Sequence, residues 1–279
     1  MQATTQAPAT SLFTSLHAQL SQAVLACRAD AAKRAVHNLR TTTRRLEGLL
    51  HKSFGDHPDA AELHKASRKT LRQLKKLRQL AGPVRDLDVH HKLAEEILKH
   101  PAFKADDVDS LNHQWQQLEK YLKQKRDKAA EDLQAGLAKR EIRLERALER
   151  TAAALEPISE SSTDALTTAR RWVERSARHL GQLSKQNLHD FRKETKLARY
   201  VSEMQPPSQV ARSFTQNLLA IQDAIGAWHD RDLLHEEARD VCGKHAELTR
   251  LFAEDAQAAL KKALAKAAAI PRSGVGGTA

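Results

Sequence analysis

The 279-residue chain is poor in the residues that build anything other than helix. It has ten glycines and eight prolines, and its six Phe, three Trp and two Tyr amount to 4% of the sequence. A β-protein of this length needs many more turn formers and more β-branched and aromatic residues, so a sheet architecture is excluded. The two cysteines, Cys27 and Cys242, are far apart and form no C-x-x-C pair. That excludes a disulfide framework and points to a reducing cytosol. No uninterrupted apolar run approaches the ~18 residues that a membrane span requires. The opening MQATTQAPAT has neither a basic cluster nor an apolar stretch, so it does not read as a secretory signal. Acidic residues are also in deficit: 46 Lys and Arg stand against 35 Asp and Glu, a net charge of +11, with fourteen histidines besides.

Helix formers dominate, namely Ala, Leu, Lys, Arg, Glu and Gln, and 41% of the residues are apolar, enough to bury a core. The expectation is an all-α protein. Its prolines punctuate the helical pattern, because proline breaks the hydrogen-bond ladder and disfavours helix in the residue before it. Between them the spacing predicts helices at 11–28, 31–54, 59–81, 84–99, 107–154, 162–184, 187–204, 208–226, 229–242 and 245–269. Gly55, Gly82, Gly226 and Gly243 stand where helices should stop. The segment 107–154 alternates its charges (Glu141, Arg143, Glu145, Arg146, Glu149, Arg150) and reads as one long, solvated, salt-bridged arm. Residues 1–10 read as a disordered tail and 271–279 as a flexible one.

The chain repeats itself. Residues 33–44 and 185–196 pair Lys33 with Lys185, His37 with His189, Arg40 with Arg192 and Arg44 with Lys196. A second register pairs Arg68 with Arg212, Gly82 with Gly226, Arg85 with His229, Asp86 with Asp230 and Asp88 with Asp232. Two helical halves, 11–154 and 158–270, therefore read as copies of one unit. An internal duplication packs most simply about a pseudo-twofold axis, which brings equivalent faces together.

Charge follows the repeat. On a helical wheel Lys33, His37, Arg40 and Arg44 fall within a sector of about 60°. Val36, Leu39, Leu46 and Leu50 lie on another face. In the second half Lys185, His189, Arg192 and Lys196 form the same stripe, with Arg199 alongside. Arg68, Arg72 and Lys75 extend the first stripe, together with Lys65, Lys69, Lys76 and Arg78. The second half offers Arg171, Arg175 and Arg178 instead. Like charges one turn apart cost about 0.2–0.5 kcal/mol per pair. A helix that needs only solubility intersperses Glu with Lys, and these stripes do not. From 33 to 85 there are fourteen Lys and Arg against four Asp and Glu; from 170 to 199, nine against three. The rest of the chain is net acidic, and such segregation is what a polyanion site requires.

These segments are also similar to known ones. VHNLRTTTRRLEGLL (36–50), LRQLAGPVRDLDV (77–89) and LHDFRKETKLARY (188–200) resemble the motifs of the CHAD family, the conserved histidine α-helical domain, in order and spacing across roughly 12–245. The resemblance implies two helical bundles related by pseudo-symmetry around a central basic groove or pore. It also implies non-catalytic binding of inorganic polyphosphate. Carried over by position, the implied ligands are His37, Arg40, Arg44 and Arg45, then His189, Arg192, Lys193, Lys196, Arg199 and Tyr200; Arg85, in the RDLD segment after Pro83, is by its own position within reach of such a groove. Glu47, standing where Arg199 would predict a base, and His229, replacing an Arg, depart from a strict repeat. The E-x-E-x-K signature of the CYTH domain often fused to this module is absent, so a stand-alone module is implied.

Competing functions are weaker. No P-loop, G-x-S-x-G or glycine-rich cradle is present, and the stripes hold few carboxylates for the metal ions of phosphoryl transfer, so no enzyme is expected. No two histidines are spaced i, i+4 and H-E-x-x-H is absent, so neither a metal nor another cofactor is expected. Asp86, Asp88 and Asp230 read as helix caps or as partners orienting arginines. Nucleic acid is the alternative partner, bound without sequence specificity through the same basic surface. The charged sectors lack the stacking aromatics that single-strand binding uses. Polyphosphate has no bases to read, and forked Arg donors with Lys point charges suit it. The expected setting is cytoplasmic, with association to polyphosphate granules and no membrane.

Overall fold

The computed structural model describes residues 9–99, 108–158 and 164–268. Among them are nine α-helices and no strand: α1 (Ala9–Ala29), α2 (Lys33–Asp56), α3 (Ala61–Leu98), α4 (Val108–Ala138), α5 (Glu141–Leu155), α6 (Ala165–Leu180), α7 (Leu188–Ser202), α8 (Gln209–Cys242) and α9 (Glu247–Ala268). The all-α expectation holds. Residues 1–8 of the expected N-terminal tail and all of 271–279 lie outside the described residues, whereas Ala9 and Thr10 already belong to α1.

Three expected boundaries move, two of them because packing outweighs local propensity. The predicted helices 59–81 and 84–99 are one helix, α3, which runs through Pro83. A proline inside a helix costs about 3 kcal/mol. On either side of it Leu74, Leu77, Ala81, Val84 and Leu87 are buried, each large apolar side chain contributing about 1.5–3 kcal/mol. The predicted helices 208–226 and 229–242 likewise merge into α8, because Ile225 and Trp228 are buried on both sides of Gly226. By contrast Gly243, with φ of 95°, does end α8. The expected arm 107–154 is two helices, α4 and α5, broken at Lys139 and Arg140. It is not a free arm either, since Leu133, Leu137, Leu144 and Leu148 are buried. Its acidic residues bond α1 instead: Arg28 donates to Glu141 at 2.5 Å, and His17 lies 2.8 Å from Glu145.

The chain forms two compact units. The first comprises 1–86, 126–169 and 197–212; the second comprises 87–125, 170–196 and 213–279. In the first unit, Leu20, Val36, Leu39, Leu46, Leu50, Leu74, Leu77, Leu133 and Leu148 form one apolar core. Arg126 donates to the Ala31 carbonyl at 2.7 Å, fixing the turn that launches α2. A buried Lys52–Asp56 pair at 2.5 Å closes the end of that helix. The core of the second unit contains Leu188, Phe191, Ile221, Ile225, Trp228, Ala259 and Ala263.

Candidate phosphate-binding clusters

Helix α2 buries Val36, Leu39, Thr43, Leu46 and Leu50, an i, i+3, i+7 series that leaves the basic stripe outside the core. Lys33, His37 and Arg45 are exposed, and Arg40 and Arg44 are half-buried. Arg40 lies along α3. Its Nη1 donates to the Arg78 carbonyl at 3.5 Å, and the same nitrogen is 3.4 Å from where a Cβ on Gly82 would stand. His37 is open on one side. Desolvation on the other, then the charges of Arg85, Arg40 and Arg45, hold its pKa below the ordinary 6.5.

Glu47 organises the flank of this cluster. It accepts from Arg44 at 2.7 Å and from Arg78 at 2.6 Å, so a single carboxylate orders two guanidinium groups. Burial pulls Arg78 down to about 10, opposed by Glu47, so it stays cationic at neutral pH. Its Nη1 remains buried without a hydrogen-bond acceptor, and so does Nη1 of Arg85. Buried donors of this kind are costly until an acceptor arrives. On α7, Arg199 bonds Glu203 and lies over the Tyr200 ring at 4.2 Å, while Arg45 approaches Glu203 at 3.7 Å. Tyr200 is buried, with its Cβ 3.4 Å from a Cβ built on Gly48, so its place is in packing. Arg68 and Arg72 are exposed and line a shallow cleft of about 770 Å³ near the start of α3, with His64, Lys65 and Lys69. Lys75 is exposed on the same helix.

The second unit has a parallel cluster. Leu188 and Phe191 are buried and leave His189 and Arg192 half-buried, Lys193 exposed and Lys196 half-buried. Arg192 lies against α8: its Nη2 is 2.9 Å from where a Cβ on Gly226 would stand, and its Nε 3.4 Å. His189 faces His229 with ring centroids 4.8 Å apart. Its pKa is lowered by desolvation, then by Lys193, His229 and Arg192, with Asp190 opposing. Its Nδ1 is buried with no hydrogen-bond partner. Lys185 donates to Asp232 at 2.8 Å and Lys193 to Asp190 at 3.0 Å. Arg171, Arg175 and Arg178 are exposed on α6, and Arg178 turns back to the Glu174 carbonyl at 3.4 Å.

The structure thus brings His37, Arg40, Arg44, Arg45, Arg78 and Arg85 together in one unit, and His189, Arg192 and Lys193 in the other. Sequence reasoning missed the ordering role of Glu47 and the part played by Gly82 and Gly226, which it took for helix ends. The available signal was that both glycines fall on the internal register. Asp86 and Asp88 lie inside α3, not at a helix start, so capping is not their role.

Among the described residues, no group of three or more His, Cys, Asp or Glu could hold a metal ion, and no helix is long and apolar enough to cross a membrane. A comparison with curated proteins finds no match. Among solved structures, the crystal structure of the CHAD domain from the plant Ricinus communis matches with a TM-score of 0.63. The match covers 98% of this chain and 96% of that one, at 19% identity, and so speaks for the fold. The family model of the CHAD domain matches residues 12–239, which takes in both clusters, and the chain belongs to the CHAD domain family.

Proposed function

We propose that this protein binds inorganic polyphosphate through its two histidine–arginine clusters and does not cleave it. One observation carries the reading. In each unit an H-x-x-R segment lays its arginine along a glycine of a long helix, and a second basic residue lies near the histidine: the charge of Arg85 acts on His37, and the His229 ring lies 4.8 Å from that of His189. Both arrangements concentrate like charges, and in the first unit Nη1 of Arg78 and Nη1 of Arg85 are buried donors without acceptors, which is costly for a merely solvated surface. A chain of phosphates supplies the missing acceptors at every oxygen and needs no base reader. Two carboxylates near the clusters are already engaged, Glu47 by Arg44 and Arg78 and Asp232 by Lys185. Cytoplasmic polyphosphate granules are the setting this chemistry fits.

Competition tests the reading against nucleic acid. With labelled long-chain polyphosphate bound, duplex DNA or tRNA at equal phosphate concentration should fail to displace it. Displacement would favour a general nucleic-acid surface. Incubation with the protein should leave the polyphosphate length unchanged on a gel; shortening would overturn the non-catalytic part.

A further inference from the structure

Glycine inside a helix is destabilising relative to alanine, so a buried helical glycine marks a place where something comes close. Among the described helical glycines, Gly48 and Gly136 meet apolar side chains and Gly55 meets nothing. Gly82 and Gly226 meet guanidinium groups, those of Arg40 and Arg192. The two contacts differ in tightness. A methyl at Gly82 would stand 3.4 Å from Arg40 Nη1, an ordinary van der Waals approach. A methyl at Gly226 would stand 2.9 Å from Nη2, 3.4 Å from Nε and 3.5 Å from Cζ of Arg192. Those three atoms belong to one planar group lying across the helix where the side chain is missing.

We infer that Gly226 is a positioning residue for anion binding, holding the Arg192 guanidinium against α8 beside His189. The inference rests on the polyphosphate reading. A methyl there forces the guanidinium away, and the guanidinium is the far end of a flexible side chain, so the fold absorbs the change while the binding geometry does not. Gly82 is the milder counterpart, because an added methyl there stands at about ordinary contact distance from Arg40.

The test compares Gly226→Ala with Gly82→Ala. Both should keep their helical circular dichroism and melt no lower than the parent. Gly226→Ala should bind defined-length polyphosphate about tenfold more weakly, the order of one lost charge-assisted hydrogen bond. Gly82→Ala should lose less than Gly226→Ala, since its methyl stands 3.4 Å rather than 2.9 Å from the guanidinium. In an Arg192→Lys background Gly226→Ala should add less than about twofold, since the glycine acts through the arginine. An undiminished affinity in folded Gly226→Ala overturns the inference, as does an unfolded one, which would make the glycine structural. The Arg192 Nε–H resonance, assigned by its loss in Arg192→Lys, should shift in Gly226→Ala without any ligand. If the parent does not bind polyphosphate, the functional reading fails while this shift still reports on the glycine–arginine contact.

Discussion

The cluster of the first unit and that of the second share a plan and differ in how their charge is fixed. In the first, Glu47 locks Arg44 and Arg78, and the charge of Arg85 acts on His37. In the second, His189 stacks near another imidazole, His229, and Lys185 and Lys193 are held by the exposed pairs with Asp232 and Asp190. The first is pre-organised and keeps most of its charge at any physiological pH. Both gain charge as the medium acidifies, through His37 in the first and His189 in the second. Under the proposed reading, the first cluster would meet phosphate mainly through arginines and the second with a larger share from histidine.

The largest expected effect comes from striking both at once. Arg40→Glu with Arg192→Glu should lower polyphosphate affinity by at least about a hundredfold, since each removes a forked donor and adds repulsion. Helical content by circular dichroism should not change. If only one of the two single variants weakens binding, the cluster of the other arginine has no part in it.

Next in size is Glu47→Ala, which sharpens the contrast in wiring. It leaves buried Arg78 and half-buried Arg44 without their carboxylate and should cost about 2 kcal/mol of stability in a denaturant titration. Polyphosphate should restore more stability to this variant than to the parent, as phosphate oxygens replace the carboxylate. Equal stabilisation of both proteins would show that the ligand never reaches Arg44 and Arg78.

The pH contrast is smaller. Desolvation and the neighbouring cations hold the pKa values of His37 and His189 below the ordinary 6.5, which favours the neutral imidazole at pH 7. Their contribution to stability is full above the unfolded value and is lost as pH falls through the lowered folded one. A bound anion reverses the shift, so stability lost at low pH should return with polyphosphate. His229→Arg places a permanent cation beside His189. Affinity at pH 7.5 should rise about threefold, and the slope of affinity with pH should flatten. An unaltered slope would mean that the pair does not titrate with binding.

The smallest effect tests the exposed pairs. Asp232→Asn frees Lys185 and should raise affinity by about twofold or less, because exposed ion pairs contribute little. A tenfold gain would instead make Asp232 a regulator of the second cluster.

Much of this was legible in the residues. Composition set the all-α class, the wheel of α2 separated Leu39 and Leu46 from His37 and Arg40, and the internal register paired Arg40 with Arg192 and Gly82 with Gly226. The rest depends on contacts between segments distant in the chain. Arg78 is separated by 31 residues from Glu47, and nothing local tells that they meet. Pro83 and Gly226 look like helix breakers because propensity is local, whereas burial of Ala81, Val84, Ile225 and Trp228 is tertiary. The alternating charges of 141–150 looked solvated because periodicity does not reveal that Leu144 and Leu148 join a core built largely from earlier helices.

Calorimetric titration of the full chain with polyphosphate of defined length, at pH 6.0 and pH 7.5 in buffers of differing ionisation heat, tests the polyanion assignment most directly. Saturable binding that tightens at the lower pH, takes up protons and weakens steeply with salt is the predicted result. Absence of saturable heat at moderate salt, or binding that releases protons, would contradict it.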